Sequence, residues 1–172
     1  MVKKSDLIIK KSGISGKGVY ARISIKKGKT ICFLRGELMD LNEMIRRTDE
    51  NLEDGADPLG VDNEKYLDLD ELSRTFNHSC NPNAYLSKKS KLKALRDINR
   101  GDEITYDYST TMDDNEEKIK KSGGGLWTCK CKCGSKNCRG LIDQFRLLPK
   151  NIQNFYLKNN YTPDFILRKY KK

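Results

Sequence analysis

The first hundred residues alternate short apolar runs with turn-forming residues. Apolar, β-branched and aromatic residues occur in brief stretches, and glycine, proline, asparagine and aspartate separate those stretches. This pattern predicts short strands rather than a repeating β-α-β unit. We therefore predict a mainly β fold built from several small sheets. The predicted strands cover residues 7–12, 19–23, 30–38, 66–69, 84–86, 91–95 and 104–108.

Two segments have helical patterning. Asp40 followed by Glu43 has the spacing of a capping box, which predicts a short helix over residues 41–48. Pro149 can open a second helix over residues 151–160. Polar residues followed by three glycines at 123–125 predict a mobile linker between the β region and the following cysteines. The predicted organisation is a β domain at 1–110 with an inserted region at about 37–71, a flexible linker at 111–126, a cysteine module at 127–143 and a basic helical tail at 144–172.

Length and composition favour one folding unit. A chain of 172 residues that is 36% hydrophobic supports one modest core with appendages. The amino-terminal residues contain no apolar run long enough for a signal peptide, and no apolar run is long enough to span a membrane. We expect a soluble monomer in the cytoplasm or nucleus, or in a host cell if the protein is a secreted effector.

The charge of the chain is unevenly distributed. The net charge is +10, which favours acidic partners. Residues 49–71 nevertheless contain ten carboxylates against Lys65, a net charge of −9. Residues 144–172 contain seven basic residues against Asp164, a net charge of +6. Either segment alone is as well explained by solubility as by binding, because charge runs are usually solvated faces.

The cysteines indicate a metal site. Cys131, Cys133 and Cys138 form a C-x-C-x-x-x-x-C motif, and such close spacing in a reducing compartment favours metal ligation over disulfides. Three thiolates leave a tetrahedral zinc ion one ligand short. The neighbouring Cys129 and the remote Cys80 are both candidates for the fourth ligand, and the spacing leaves this choice open.

The only histidine of the chain, His78, lies in a turn of small polar residues. Such a histidine alone is more often structural than catalytic, but four motifs occur in order around it. They are GKGVYA at 16–21, NHSCNPN at 77–83, GDEITYDY at 101–108 and CKCGSKNCRG at 131–140. Together they resemble the SET domain of protein lysine methyltransferases with its post-SET zinc module. The resemblance covers about residues 7–142.

The resemblance implies a β-clip-like fold of small sheets with a pseudoknot, a short inserted helix and a carboxyl-terminal zinc-binding segment followed by a helix. It implies transfer of a methyl group from S-adenosylmethionine to a lysine of another protein. It also implies that Cys80 is the fourth zinc ligand. The implied site residues are Lys17, Gly18, Val19, Asn77, His78 and Tyr108 for the cofactor, Tyr108, Tyr106 and Tyr66 for catalysis and the lysine channel, and Cys80, Cys131, Cys133 and Cys138 for zinc.

Methyl transfer of this kind depends on alignment more than on a strong base. The attacking lysine must first lose a proton, and both a narrow apolar channel and a nearby positive charge lower its pKa. The resemblance implies that the inserted region, which contains the acidic segment 49–71, forms one wall of the peptide groove. Its negative charge would attract a basic substrate such as a histone. The basic tail could hold nucleic acid.

Two other functions are compatible with parts of the sequence. An inactive SET-like binding module is one, but the presence of Asn77, His78 and Tyr108 argues against it. A small zinc protein that binds nucleic acid is the other, and it leaves the motifs at 77–83 and 101–108 unexplained. Binding of S-adenosylmethionine would distinguish the methyltransferase from both.

Overall fold

The computed structural model describes residues 1–49 and 58–171. Short strands dominate the described residues before residue 110, in agreement with the predicted mainly β fold. The strands are β1 (Leu7–Lys11), β2 (Lys17–Ala21), β3 (Thr30–Phe33), β4 (Gly36–Asp40), β5 (Pro58–Asp62), β6 (Lys65–Leu69), β7 (Ala84–Ser87), β8 (Lys91–Ala94), β9 (Cys129–Lys130) and β10 (Leu141–Ile142). The α-helices are α1 (Leu41–Asp49), α2 (Glu71–Arg74), α3 (Glu116–Lys121), α4 (Lys150–Asn159) and α5 (Asp164–Tyr170).

The strands form four small antiparallel sheets. Strands β1 and β2 form a hairpin, and β9 and β10 form another short pair. The two larger sheets have the strand orders β3-β8-β7 and β4-β6-β5. Strand β8 has one buried and one partly exposed face. Leu92 and Ala94 are buried in the core, whereas Lys91 and Lys93, which alternate with them, are partly exposed.

One apolar core unites the β1-β2 hairpin, the β3-β8-β7 sheet and two extended segments around residues 76 and 104. Its members include side chains with no exposed surface, such as Val19, Ile31 and Leu92. Among the core side chains that are less than 2% exposed, the largest is that of Phe76, at 1%. The residue that follows it, Asn77, is therefore anchored at one end by the core.

The segment containing residues 77–79 lies parallel to the segment around Tyr106. The amide of Tyr106 donates to the carbonyl of Asn77 at 3.2 Å, and the amide of Ser79 donates to the carbonyl of Tyr106 at 3.1 Å. The predicted strand at 104–108 differs from this arrangement, since it forms only isolated bridges and ends where a 3-10 turn begins (Tyr108–Thr111).

The inserted region contains β4, α1, β5 and β6. The predicted first helix is confirmed as α1, and Asp40 accepts the amide of Glu43 at 2.9 Å. The Glu43 side chain does not complete the capping box but pairs with Arg46 and Arg47. Arg47 also reaches Asp68 of β6 at 2.8 Å, which ties the helix to the sheet. Four carboxylates of the acidic segment 49–71 lie outside the described residues, namely Glu50, Glu53, Asp54 and Asp57.

The segment 111–126 differs from the predicted flexible linker. It contains α3, whose Ile119 is 4% exposed and packs against Met39, Ile45 and Tyr66 of the inserted region. The polar composition of the segment predicted mobility. In the structure, the buried side chain of Ile119 on the short helix α3 packs the segment against the inserted region.

The carboxyl-terminal segment packs against the β core. The predicted second helix is confirmed as α4, and a further helix, α5, follows it. Their apolar side chains form a small cluster around Phe145 and Ile166, each with no exposed surface. The ring of Tyr161 packs at a tilt of 44° against that of Tyr85 of β7, with ring centroids 4.3 Å apart. No helix within the described ranges is long and apolar enough to cross a membrane.

We predict that Ile119→Ala lowers the free energy of unfolding by about 2 to 4 kcal/mol, because it removes a buried side chain and leaves a cavity. The matched control is Lys121→Ala, which changes an exposed residue of the same helix. Urea unfolding of both variants measures the difference. A loss below about 0.5 kcal/mol for Ile119→Ala would show that the segment 111–126 is not attached to the inserted region.

Candidate functional site

Two clefts meet at one tyrosine. The first, here called the histidine cleft, is lined by Asn77, His78, Ser15, Lys130 and Lys132 together with Tyr108 and Trp127. The second, here called the tyrosine groove, is lined by Tyr66, Tyr106, Leu59, Met44 and Asp114 together with the same Tyr108 and Trp127. A ligand in each cleft would therefore contact the same two aromatic side chains.

The amide group of Asn77 connects the β1-β2 turn to the histidine cleft. Its Nδ2 atom donates to the carbonyl of Lys17 at 2.9 Å and to Glu103 Oε1 at 2.7 Å, with the carbonyl of Ser15 at 3.2 Å. Glu103 also accepts hydrogen bonds from Ser12. A Cβ at position 18 would lie 2.1 Å from Glu103 Oε1, so a larger residue there would push this carboxylate from its present position beside Asn77.

The predicted cofactor residues fall into two groups. Asn77, His78 and Tyr108 line the histidine cleft. Lys17, Gly18 and Val19 do not line it: Lys17 contributes its carbonyl to Asn77, Gly18 makes room for Glu103, and Val19 is a core residue with no exposed surface. The role of Glu103 as a partner of Asn77 was not predicted. Its position as the only glutamate in the GDEITYDY motif could have indicated it.

His78 is a buried, neutral histidine. Burial lowers its pKa to about 4, although the Asp107 carboxylate at 3.5 Å opposes that shift. Its Nδ1 atom accepts the backbone amide of Tyr108 at 3.1 Å, and its Nε2 atom lies 3.3 Å from the sulfur of Cys80. With Nδ1 acting as an acceptor, the proton is on Nε2 and can be donated to a thiolate at Cys80. His78 therefore links Tyr108 to the cysteine cluster.

Tyr108 stands between the two clefts. Its hydroxyl donates to the carbonyl of Phe76 at 2.6 Å. Its ring lies 5.5 Å from the ring of His78 on one side and 4.9 Å from the ring of Tyr106 on the other, measured between centroids. Tyr106 is 4% exposed, and burial raises the pKa of its hydroxyl well above the ordinary value, so that hydroxyl stays neutral.

Tyr66 is also in the tyrosine groove, but its hydroxyl has a partner of its own. It donates to Asp114 Oδ1 at 2.6 Å. Burial raises the pKa of Asp114, while the hydrogen bond from Tyr66 opposes that shift. Among the described residues that line the groove, Asp114 is the one carboxylate. Asp114 was not predicted as a site residue, because it lies in the segment 111–126 that was interpreted as a linker.

The four cysteines proposed as zinc ligands come together. The sulfur atoms of Cys80, Cys131, Cys133 and Cys138 all lie within 4.8 Å of one another, and those of Cys80 and Cys131 are 3.7 Å apart. In a tetrahedral site with zinc–sulfur distances of about 2.3 Å, adjacent sulfurs are separated by roughly 3.8 Å. The donor set and its spacing therefore fit a structural zinc ion.

The surroundings of the cluster act differently on its thiols, since burial raises the pKa of Cys80 and Cys131 while the pKa of Cys133 is lowered. Burial would raise the pKa of Cys133, but hydrogen bonds from the amide of Cys80 and from Ser135 lower it to about 6. The amide of Arg139 also points at the sulfur of Cys80 at 3.4 Å. Cys129 is exposed and its thiol contacts its neighbour's carbonyl, which places it outside the cluster. Between the two candidates for the fourth ligand, the geometry favours Cys80.

Comparison with known proteins agrees with this geometry. Residues 16–109 match the SET domain family. The chain is 32% identical to histone-lysine N-methyltransferase mes-4 of Caenorhabditis elegans over 74% of its own length and 16% of that relative. It is 31% identical to a variant-silencing SET domain-containing protein of Plasmodium falciparum over 77% of its own length and 5% of that relative. The chain thus spans less than a fifth of either relative.

A solved structure has the same fold. The methyltransferase domain of human histone-lysine N-methyltransferase SETMAR superimposes with a TM-score of 0.63 over 80% of this chain and 58% of that one, at 24% identity. The chain belongs to the SET-domain family. This confirms the predicted SET-type fold of small sheets, and S-adenosylmethionine is the cofactor that SET methyltransferases use.

We predict that Cys80→Ser lowers zinc retention and Cys129→Ser does not, because only a ligand's loss opens the coordination shell. Zinc content of the purified variants, measured by inductively coupled plasma mass spectrometry, checks this. One zinc per chain in wild type and Cys129→Ser, with clearly less in Cys80→Ser, is the expected result. Loss of zinc in the Cys129 variant alone would reject Cys80 as the fourth ligand.

Proposed function

We propose that the protein is a lysine methyltransferase that uses S-adenosylmethionine and modifies a basic protein. The observation that carries the proposal is that Tyr108 lines both the histidine cleft and the tyrosine groove. A cofactor in one cleft and a lysine in the other would both contact Tyr108, beside the shared Trp127. The alternative of a zinc protein that only binds nucleic acid gives no role to this meeting point.

The histidine cleft has suitable chemistry for the cofactor. S-adenosylmethionine, when bound, supplies an electrophilic methyl group on a positively charged sulfur, and it also carries a carboxylate and an aromatic base. Lys130 and Lys132 can attract the carboxylate, and the face of Trp127 can stack on a base or a cation. A neutral His78 adds no repulsion toward a positively charged ligand. Asn77 is the polar residue held most firmly at the edge of the cleft.

The tyrosine groove has suitable chemistry for the lysine. Apolar walls such as Leu59 and Met44 disfavour the ammonium form, so they lower the pKa of an entering amine. The neutral hydroxyl of Tyr106 and the ring of Tyr108 would orient the amine rather than remove its proton. Alignment of this kind can by itself lower the reaction barrier by roughly 7 to 11 kcal/mol.

The identity of the substrate is a further part of the proposal. The relative from Caenorhabditis elegans is named a histone-lysine methyltransferase. We propose a basic, histone-like substrate in the nucleus, and the carboxyl group of Asp114 in the groove would attract such a substrate.

The acidic segment 49–71 contributes less negative charge to substrate binding than its sequence suggests. Asp62 pairs with Arg168, Glu64 with Lys118, and Asp68 with Arg47 and Arg74.

Binding of nucleic acid through the basic tail receives less support. Arg168 and Lys169 pair with Asp62 and Asp113 of the protein itself, and Arg146 also contacts Asp113. Part of the tail's positive charge is therefore used to hold α5 in place. We accordingly propose no separate function for the tail.

The proposal is tested by incubating the protein with methyl-labelled S-adenosylmethionine and a panel of basic proteins that includes histones. Labelled lysines are then mapped by mass spectrometry. Label on lysine of at least one protein is the expected result. Cofactor binding by calorimetry without any labelled lysine would favour the inactive module, and absence of both would reject the cofactor assignment.

We predict different effects for two site variants. Tyr108→Phe removes one hydroxyl where the ligands meet, so it should abolish most methyl transfer while cofactor affinity changes by less than about fivefold. Asn77→Ala should instead weaken cofactor binding by roughly tenfold or more, because the edge of the histidine cleft loses its held amide. Calorimetry and a transfer assay measure both. The control is Tyr161→Phe, because Tyr161 contacts Tyr85 of β7 and lines neither cleft. Normal cofactor binding and normal activity in both site variants would show that the site assignment is wrong.

Tyr106 leads to a prediction about the number of methyl groups. In SET enzymes a tyrosine at this position usually limits further methylation, because its hydroxyl takes up space and can hold a water. Displacing a held water costs about 1 to 2 kcal/mol, or roughly tenfold in rate for each added methyl. We expect mono- and dimethyllysine from the wild type and a shift toward trimethyllysine in Tyr106→Phe. Mass spectrometry at long incubation decides, and dominant trimethylation by the wild type contradicts this prediction.

A further inference from the structure

A buried carboxylate precedes the tyrosine at which the two clefts meet. Asp107 is 2% exposed, and its side chain has partners from three parts of the fold. Its Oδ1 atom accepts Arg139 Nη2 at 2.7 Å, and its Oδ2 atom accepts the hydroxyl of Tyr156 at 3.1 Å. Arg139 follows the last zinc-ligand candidate, and Tyr156 belongs to α4. Residue 156 lies outside the range 16–109 that matches the SET family.

Asp107 also organises the turn that begins with Tyr108. Its carboxylate accepts the amide of Ser109 at 3.2 Å. Its carbonyl accepts the amide of Thr110 at 3.0 Å and the hydroxyl of Thr110 at 2.7 Å. The backbone direction at Tyr108 is therefore set by both polar groups of the preceding residue.

Arg139 and Tyr156 are committed to this carboxylate. Arg139 Nη1 is buried without a hydrogen-bond partner among the described residues. Arg139 Nη2 donates to Asp107 at 2.7 Å and to Ser109 Oγ at the longer distance of 3.4 Å, so Asp107 is the main partner of the guanidinium. Tyr156 is 3% exposed, and the Asp107 contact satisfies its hydroxyl. A buried charge with hydrogen bonds from two fixed donors is held in one orientation.

We propose that Tyr156 and Arg139 are positioning residues for Tyr108, acting through the carboxylate of Asp107. The zinc module and α4 thereby set the geometry of the tyrosine although neither Tyr156 nor Arg139 lines either cleft. The catalytic part of this inference rests on the proposed function. Its structural part, the order of the turn at Tyr108–Thr111, does not.

The experiment compares Tyr156→Phe with Tyr170→Phe. Both remove one tyrosine hydroxyl that donates to a buried carboxylate, since Tyr170 donates to Asp113 at 2.6 Å. In Tyr156→Phe we expect kcat to fall by about tenfold with the KM values for cofactor and peptide nearly unchanged, because a hydrogen bond to a charged group is lost. We also expect faster hydrogen exchange at the amides of Tyr108 and Ser109, measured by nuclear magnetic resonance. Tyr170→Phe should change neither quantity by more than about twofold, although both variants lose stability.

Support requires both changes in Tyr156→Phe and neither in Tyr170→Phe. Equal changes in the two variants, or a change in only one of the two quantities, overturn the proposal. If Tyr156→Phe does not fold, Arg139→Lys is measured in the same way, with the same expected result. If the wild type transfers no methyl group, the function fails, and the amide exchange still decides whether the turn depends on Tyr156.

Discussion

The site depends on the parallel pairing of two chain segments that are far apart in sequence. Residues 77–79 and the segment at Tyr106 share two backbone hydrogen bonds, and Phe76 and Ile104 anchor the segments in the same core. This pairing brings His78 to Tyr108 and points Asn77 at the β1-β2 turn. It also directs Cys80 to the three later cysteines. Without the pairing, the residues proposed to bind the cofactor, Tyr108 and the four clustered cysteines would belong to separate parts of the chain.

Buried charge is the second organising feature. Asp107 and Asp113 lie below the surface, and each is paired with basic or hydroxyl groups of the carboxyl-terminal half. Breaking such a pair leaves an uncompensated charge, which is strongly unfavourable. These contacts make the segment after residue 110 part of the same structure as the β core. They also explain why a chain with a net charge of +10 keeps much of its tail charge for internal ion pairs.

Local patterns were sufficient for the strand-rich fold class and for two of the helices. The capping residue Asp40 and the proline at 149 correctly located α1 and α4. Motif resemblance assigned Cys80 to the cluster, which spacing alone could not do because the contact spans about fifty residues. The packing of Ile119 and the groove position of Asp114 could not be predicted, since each depends on a tertiary contact with Tyr66. The same is true of the partnership between Asp107 and Tyr156.

The central claim is that a cofactor cleft and a lysine groove meet at Tyr108. A crystal structure of the protein with S-adenosylhomocysteine and a lysine-containing basic peptide tests it most directly. The account predicts the cofactor product beside Asn77 and His78, and the lysine nitrogen entering between Tyr66 and Tyr106 to reach Tyr108 from the other side. Cofactor product bound elsewhere, or both ligands in the same cleft, would contradict the account.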